Sequence, residues 1–254
     1  MANITKIINT WKYSSQREML VPERQGIITE QSVCLIVNGE FWLNFICSPI
    51  DLEALAVGFL WNEDVIQEVS EIQNLTVSPD LSTIEVTLRQ PVVKPQTWQR
   101  TTTGVVPTFT STQAVLDRLF RISAKSLIAQ FASFESKQTN YHSAGGYHSA
   151  ALSDGESVCI TVEDIGRHNC LDKVIGIYLL EQKPFTPQIM LLTGRVSSEM
   201  IHKTLKLNVP VIASRTTPTA NAVEIALANL ITLVGYLRGE RFTIFANPER
   251  IIFS

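Results

Sequence analysis

The sequence predicts an α/β protein: a three-layer core with a mixed sheet in the C-terminal half, preceded by a smaller N-terminal β-rich α+β region. Three observations predict it. From Tyr147 onward, short strand-like runs alternate with segments of helical apolar spacing, the signature of layered α/β domains. Before that point, alternating runs bounded by turn residues dominate. The 254 residues, 45% hydrophobic and 18% charged, have the length and composition of a globular chain with a large core, at the upper edge of what one domain holds. The N-terminal region is placed at 1–109, with one helix and a long loop, and the core domain at 110–254.

The first predicted element is a hairpin in QSVCLIVNGEFWLNFICS, turned at Asn38-Gly39, where both residue types tolerate positive φ. Ser48-Pro49-Ile50-Asp51 reads as a capping box with Ser48 as N-cap. The helix it opens shows an apolar face of Leu52, Leu55, Ala56 and Phe59. Two strands follow in IQNLTVSP and TIEVTLRQP. The run QPVVKPQTWQRTTTGVVPTFT has neither periodicity and is a loop. In STQAVLDRLFRISAKSLIAQFASF, Leu116, Leu119, Phe120, Leu127 and Phe131 recur at helical spacing, which predicts one long helix.

In the core domain, YHSAAL and SVCITVED flank the turn Ser153-Asp154-Gly155 and should pair antiparallel. Then come helix (CLDKVIGIYLLEQ), strand (QIMLLTG), helix (SSEMIHKTLKL), strand (VPVIAS), helix (PTANAVEIALANL) and a closing hairpin (ITLVGYL, RFTIFA). No solenoid repeat is visible.

A net charge of −3 argues against a dedicated nucleic-acid binder, which shows a basic face. No window approaches the ~18 uninterrupted apolar residues of a membrane helix, and no leader-like apolar stretch opens the chain. The expectation is a cytoplasmic protein with no membrane attachment. Cys34, Cys47, Cys159 and Cys170 are scattered, with no C-x-x-C, so no metal site is assigned. Cys34 and Cys159 fall in strands, where cysteine usually acts as a small buried hydrophobe.

The stretch VEDIGRHNCLDKVIG carries Glu163, Asp164, Arg167, His168, Asp172 and Lys173 across a strand-to-helix junction, where folding alone does not demand ionisable groups. Three times a strand ends and an arginine stands at the mouth of the next helix: Arg167, Arg195 and Arg215. In an open α/β sheet these junctions share one edge, where ligands bind. Each helix start there offers unpaired N–H groups and about half a positive charge. Ser197 and Ser198 can cap the second helix and Thr217 the third; their hydroxyls can instead serve a phosphate. Any single arginine is better explained by a nearby carboxylate such as Glu163, Asp164, Glu199 or Glu224. The recurrence on one edge reverses that preference and predicts an anion site.

His168, in a helix's first turn beside Arg167, should stay neutral. Asp164 or Asp172 could orient it, which raises a nucleophilic reading with a serine of SAGGYHSAA or VSSEM. No G-x-S-x-G elbow supports a hydrolase. His148 follows Gly145-Gly146, which would let backbone approach a ligand, and it reads equally as a satisfied half-buried histidine. His142 and His202 receive no role.

The motifs TVEDIGRHNCLDKVIG, AGGYHSAAL, TGRVSSEMIHK, SRTTPTANAVEIA and LVGYLRGERFTIF, with SPIDLEALAVGFLWNEDVI upstream, resemble the formate dehydrogenase accessory protein family (FdhD/NarQ). The resemblance runs in order over about residues 30 to 250. It implies a cytosolic homodimer with a cytidine-deaminase-like core that binds the molybdenum bis-guanine-dinucleotide cofactor. A GDP-like nucleotide would serve as its surrogate. The family passes the cofactor sulfur taken from a cysteine desulfurase, for the benefit of formate dehydrogenase. By the same resemblance, Tyr236, Leu237, Arg238, Gly239, Glu240 and Arg241 would touch the cofactor. Zinc deaminase chemistry is not implied, because H-x-E and P-C-x-x-C are both absent.

One departure bears on activity. Members that carry sulfur hold C-G-x-C-G in the loop where this chain has WQRTTTGVVPTFT. Thr101, Thr102 and Thr103 cannot form a persulfide, since a hydroxyl lacks the nucleophilicity of a thiolate. Cys170, in a helix's first turn near Arg167 and His168, is the candidate substitute sulfur carrier; beside Leu171 and the helix's apolar stripe, it reads equally as a buried residue. The alternative is a non-catalytic cofactor chaperone, or a dimer partner of a cysteine-bearing paralogue.

Overall fold

The computed structural model describes residues 5–94, 99–101, 104–106 and 116–253. Its elements in chain order are β1 (Thr5–Ser14), β2 (Met19–Ile28), β3 (Gln31–Val37), β4 (Glu40–Cys47), α1 (Leu52–Asn62), β5 (Ile72–Val77), β6 (Thr83–Leu88), β7 (Gln99–Thr101) and β8 (Gly104–Val106). These are followed by β9 (Ile122–Ser123), α2 (Ala124–Ser136), α3 (Thr139–Ala144), β10 (His148–Ser153), β11 (Val158–Asp164) and α4 (Arg167–Leu180). The chain then runs through β12 (Ile189–Leu192), α5 (Ser198–Lys206), β13 (Val211–Ser214), α6 (Ala220–Ala228), β14 (Thr232–Arg238), β15 (Arg241–Ala246) and β16 (Ile251–Ile252). No described helix is long and apolar enough to cross a membrane.

The core is a six-stranded mixed sheet in the order β11-β10-β12-β13-β14-β15. Strands β12, β13 and β14 run parallel, and the outer pairings are antiparallel. Alternation along the strands sends side chains to two faces. Leu152, Val162, Met190, Leu192 and Ile212 join α1, α4 and α5 on one side. Ala151, Leu191, Val211 and Ala213 meet Leu127, Phe131 and Phe134 of α2 on the other. Helices on both faces give the expected three layers.

A second sheet, β4-β3-β6-β5, belongs to the N-terminal region. Its hairpin turns at Asn38-Gly39 as predicted, with φ of 50° and 79°. Val33, Leu35, Val37, Ile84 and Val86 share one apolar cluster with α1, α4 and the large sheet. The joint is the crossing of α1 over α4. A Cβ on Gly58 would stand 1.8 Å from the Asp172 carbonyl oxygen, and one on Gly176 1.9 Å from that of Ala54. Only glycine lets these backbones come so close.

Several expectations are corrected here. Ser48 does not cap α1. The N-cap is Asp51, in the left-handed region at φ 50° and making no side-chain cap bond. Ser48 instead lies fully buried and serves the β11–α4 junction. Its N–H donates to Asp164 Oδ2 at 3.0 Å, its carbonyl accepts from Lys173 Nζ at 3.0 Å, and its hydroxyl accepts from the Ile165 N–H at 3.3 Å.

The long helix before the core is shorter than its apolar spacing implies. Ile122-Ser123 instead form a parallel bridge with Ile251-Ile252, and α2 starts after Ser123, whose Oγ accepts from the Ser126 N–H at 3.0 Å. Leu119 is exposed, and residues 111–115 lie outside those described. The third core helix is capped by Thr219, whose Oγ1 accepts from the Ala222 N–H at 3.3 Å, not by Thr217. The hairpin β1–β2 and the short α3 depart from the sequence expectation, and within the run read as a loop β7 and β8 pair antiparallel.

Folding also claims most of the charges at the β11–α4 junction. Glu163 accepts the N–H groups of Asn140 and Tyr141, each at 2.8 Å, and so caps α3. Asp164 and Lys173 form a fully buried ion pair at 2.5 Å. Asp172 accepts from Lys203 at 2.7 Å and from Asn62 Nδ2 at 2.6 Å. Of the six ionisable residues, Arg167 and His168 remain for a ligand.

Candidate functional site: an arginine-lined sheet edge

The strand registers bring the junctions to one edge. His148 stands opposite Asp164, Ala150 opposite Leu192, Leu192 opposite Ser214, and Ala213 opposite Val234. The carboxyl ends of β11, β12, β13 and β14 therefore open on the same side, with the N-termini of α4, α5 and α6 among them.

Backbone bonds zip the connecting segments together. Val196 N–H donates to the Thr217 carbonyl at 3.2 Å and Thr219 N–H to that of Val196 at 2.9 Å. Buried Ser214 donates its hydroxyl to the Gly194 carbonyl at 2.7 Å and accepts from the Thr216 N–H at 3.1 Å. Tyr236 N–H donates to the Thr216 carbonyl at 3.0 Å, and Arg238 Nε to that of Arg215 at 3.0 Å. The loops after β12 and β13 and the end of β14 thus form one hydrogen-bonded rim.

Arg167, half-buried at the start of α4, lies at its centre. A Cβ on Gly194 would come within 3.0 Å of Arg167 Cβ and 3.3 Å of His148 Nδ1, so Gly194 is the gap through which these two side chains meet. Burial first, then the Arg195 charge, push the Arg167 guanidinium below its ordinary value, against the opposing pull of Glu199. Burial and then Arg167 likewise lower His148. Arg167 Nε is buried without a hydrogen-bond partner. Among the described residues, neither Arg167 nor exposed Arg195 has a carboxylate within ion-pair distance. Two cations that share a field and lack counter-charges leave an anion-shaped demand.

Arg215 sits farther along the rim. It approaches Glu135 of α2 at 3.9 Å and lies over the Tyr141 ring at 5.7 Å. Its carboxylate is therefore not one of the four local ones the sequence suggested. Tyr236 is exposed, with φ at 53°, and Arg238, Gly239, Glu240 and Arg241 continue the exposed turn of β14–β15. Leu237 points the other way: it is fully buried in the apolar cluster under α2, so its side chain is withdrawn from the rim.

His168 has neither Asp164 nor Asp172 as partner, because both are taken by lysines. Its Nε2 lies 3.4 Å from Glu199 Oε2 and 3.5 Å from Ser197 Oγ. Burial, then the charges of Lys203 and Arg167, lower its pKa to about 3, so the ring is neutral as expected. Ser197 is the N-cap of α5 and makes no side-chain cap bond there, which leaves its hydroxyl to His168 or a ligand; Ser198 opens the helix. Thr217 donates to the Pro218 carbonyl at 3.0 Å.

Cys170, Cys47 and Cys159 do not reach this edge as reactive thiols, and Cys34, expected to be buried, is half-buried in β3 of the N-terminal sheet. Cys170 is 1% exposed, and burial and the Asp164 charge hold its thiol well above the ordinary value. Burial outweighs the helix start that suggested activation, which favours the buried reading of Cys170 over the substitute carrier. Burial pushes Cys47 up to about 12. Cys159 is exposed, contrary to expectation, two residues from the turn that joins β10 to β11, at the opposite end of the sheet. Thr102 and Thr103 lie outside the described residues, and Thr101 ends β7.

Glu199 is the residue that sequence reasoning undervalued. It was weighed only as a surface partner for an arginine, and its place one helical turn before Lys203 was the signal available.

Comparison with known proteins agrees with this architecture. The family model for FdhD/NarQ matches residues 28–252. The sulfur carrier protein FdhD of Bacillus pumilus is 33% identical over 89% of this chain and 90% of its own length. That of Bacillus subtilis is 29% identical over 98% of both chains. A Desulfotalea psychrophila crystal structure, named as a formate dehydrogenase accessory protein, superposes with a TM-score of 0.83 at 23% identity, covering 98% of this chain and all of that one; it bears on the fold alone. With the match spanning nearly the whole molecule and all its edge-forming junctions, the chain belongs to the FdhD/NarQ family.

Proposed function

We propose that this protein serves formate dehydrogenase maturation by holding the molybdenum bis-guanine-dinucleotide cofactor along the arginine edge, with the sulfur supplied through a thiol that is not its own. The observation that carries the reading is half-buried Arg167, whose Nε has no hydrogen-bond partner, and exposed Arg195 at the neighbouring junction, neither with a carboxylate of the described residues within ion-pair distance. The ligand would bring two pyrophosphate linkages and two guanines. Arg167 and Arg195 would meet phosphate, assisted by the N–H groups at the starts of α4 and α5, and Arg215, Tyr236, Arg238 and Arg241 would line the rim beyond. One charge-assisted hydrogen bond contributes about 1.5–3 kcal/mol, so several are needed for the ~8 kcal/mol of micromolar binding.

The family role of sulfur transfer from a cysteine desulfurase needs a reactive thiol at the edge. Cys170 and Cys47 are buried, Cys34 is half-buried in β3 of the N-terminal sheet, Cys159 lies at the far end of the large sheet, and threonines occupy the loop where carriers hold cysteines. A cofactor chaperone, or a partner chain to a cysteine-bearing copy in a dimer, therefore fits better than a self-sufficient carrier. A cytidine-deaminase-like core is carried with this proposal as what the family resemblance implies for the fold, with no deaminase chemistry implied.

The test is a titration with diguanosine pyrophosphate, comparing wild type with Arg167→Ala. Loss of about one to two charge-assisted contacts should weaken binding at least tenfold; equal affinity would overturn the placement. Incubation with a cysteine desulfurase and cysteine, followed by intact mass, should show no reductant-sensitive gain of one sulfur atom. Such a gain would restore the carrier reading.

A further inference from the structure

Behind Arg167 and His168 lies a buried set of carboxylates that outnumbers its cations. Lys203 of α5 is 4% exposed and fully paired: its Nζ donates to Asp172 Oδ1 at 2.7 Å and lies 3.5 Å from Glu199 Oε1. Glu63, just past α1, is 8% exposed and has no hydrogen-bond partner for either carboxyl oxygen. Three buried carboxylates thus face one buried amine. No three of the described His, Cys, Asp and Glu side chains converge closely enough for a metal ion, so a cation does not resolve the imbalance. Full ionisation would bury two uncompensated negative charges, which low dielectric strongly disfavours. Asp172 has the firmest partners, Lys203 at 2.7 Å and Asn62 at 2.6 Å, which oppose the rise that burial imposes on its carboxyl. The shared proton falls to Glu63 and Glu199.

Glu199 is the member that touches the site. Its other oxygen is the one 3.4 Å from His168 Nε2, and its charge is felt by Arg167. We propose that Glu199 is a proton-controlled gate on the arginine edge: protonated, it leaves the positive field of the rim to an anionic ligand, and ionised, it sets a buried negative charge directly behind His168 and opposes that ligand. This rests on the edge being an anion site.

The groups facing Glu199 are Lys203 from its own helix, His168, Arg167 and Asp172 from α4, and Glu63 from the end of α1. Burial raises Glu199 to about 7, with Lys203 pulling down and Asp172 pushing up. His168 takes no charge over this range, having been lowered to about 3. The gate is therefore the carboxyl and not the ring. His168 is the neighbouring ring that reports the change, with Nε2 3.4 Å from Glu199 Oε2.

Diguanosine pyrophosphate is a suitable probe, because each of its phosphoryl groups keeps one fixed negative charge across neutral pH. Wild-type affinity should fall about tenfold between roughly pH 6 and pH 8, the scale of one added negative charge at this range in a part-buried site. Glu199→Gln should bind with a flat profile and more tightly than wild type at the upper pH. A flat wild-type profile with binding intact would overturn the gate and leave the edge standing. No binding at any pH would remove the edge itself, and the gate with it. If Glu199→Gln does not fold, the ring-nitrogen shifts of His168 in the wild-type protein decide. A step near neutrality without ring charging supports the gate, and its absence overturns it.

Discussion

Lys173 and Arg167 stand on the same helix, fewer than two turns apart, and meet opposite surroundings. Lys173 is fully buried, and its ammonium group reaches Asp164 Oδ2 at 2.5 Å and the Ser48 carbonyl at 3.0 Å. Arg167 meets Arg195 and His148, and its Nε has no partner. The first arrangement satisfies every charge by folding alone and ties the N-terminal sheet to the core. The second leaves like charges together on a rim held rigid by the zipped loops of β12, β13 and β14. A buried pair is retained by its own geometry, whereas an uncompensated pair of cations is maintained against a cost in stability. Charge density by itself therefore does not mark the residues proposed to meet a ligand; failure of neutralisation does.

The largest expected effect lies on the sealed side. Gly176→Ala places a methyl group where the Ala54 carbonyl oxygen now stands, and a rigid backbone must yield. Overpacking of this kind destabilises by about 3 kcal/mol or more. Urea unfolding of the variant should show it, and a midpoint equal to wild type would mean that the α1–α4 crossing is looser than described.

Next comes the contrast itself. Lys173→Met strands Asp164 as a buried, unpaired charge and should remove roughly 3–5 kcal/mol of stability. Arg167→Ala and Arg195→Ala should each lie within about 0.5 kcal/mol of wild type or above it, since they relieve repulsion. Similar losses on both sides would erase the distinction between sealed and open charge.

The smallest effect concerns pH. Burial raises Glu63 to about 7 from an ordinary value of 4.5. The native state then holds a proton that the unfolded chain releases first, so stability falls as pH rises from about 4.5 to about 7 and levels off above that. Glu63→Gln should flatten part of this slope and raise the urea midpoint more above neutrality than below pH 5 or so. An unchanged slope would show that Glu63 is already ionised in the folded protein.

Apolar periodicity and turn chemistry were enough to read the alternation after Tyr147, the hairpin at Asn38-Gly39 and the edge shared by Arg167, Arg195 and Arg215. Each of these is a local signal, encoded within one or two turns of chain. The motifs from SPIDLEALAVGF to LVGYLRGERF carried the family relationship in the same way. Local spacing also misled. Leu116, Leu119 and Phe120 have helical spacing but precede a two-residue strand completed by Ile251-Ile252, more than a hundred residues later. The apolar residues of β1–β2 gave no usable strand signal because Ile7, Trp11 and Tyr13 are exposed.

Tertiary structure alone decided how the charges were assigned. Ser48 meets Asp164 across 116 residues and Lys173 across 125, and Lys203 meets Asp172 across 31. No local pattern can say which carboxylate a distant amine will neutralise, because that depends on where folding removes water. Burial also turned Cys170 from an activated thiol into an inert one and withdrew Leu237 from the rim. Residue types and their order fixed where charges stand along the chain; desolvation and long-range contact fixed which of them remain available to a ligand.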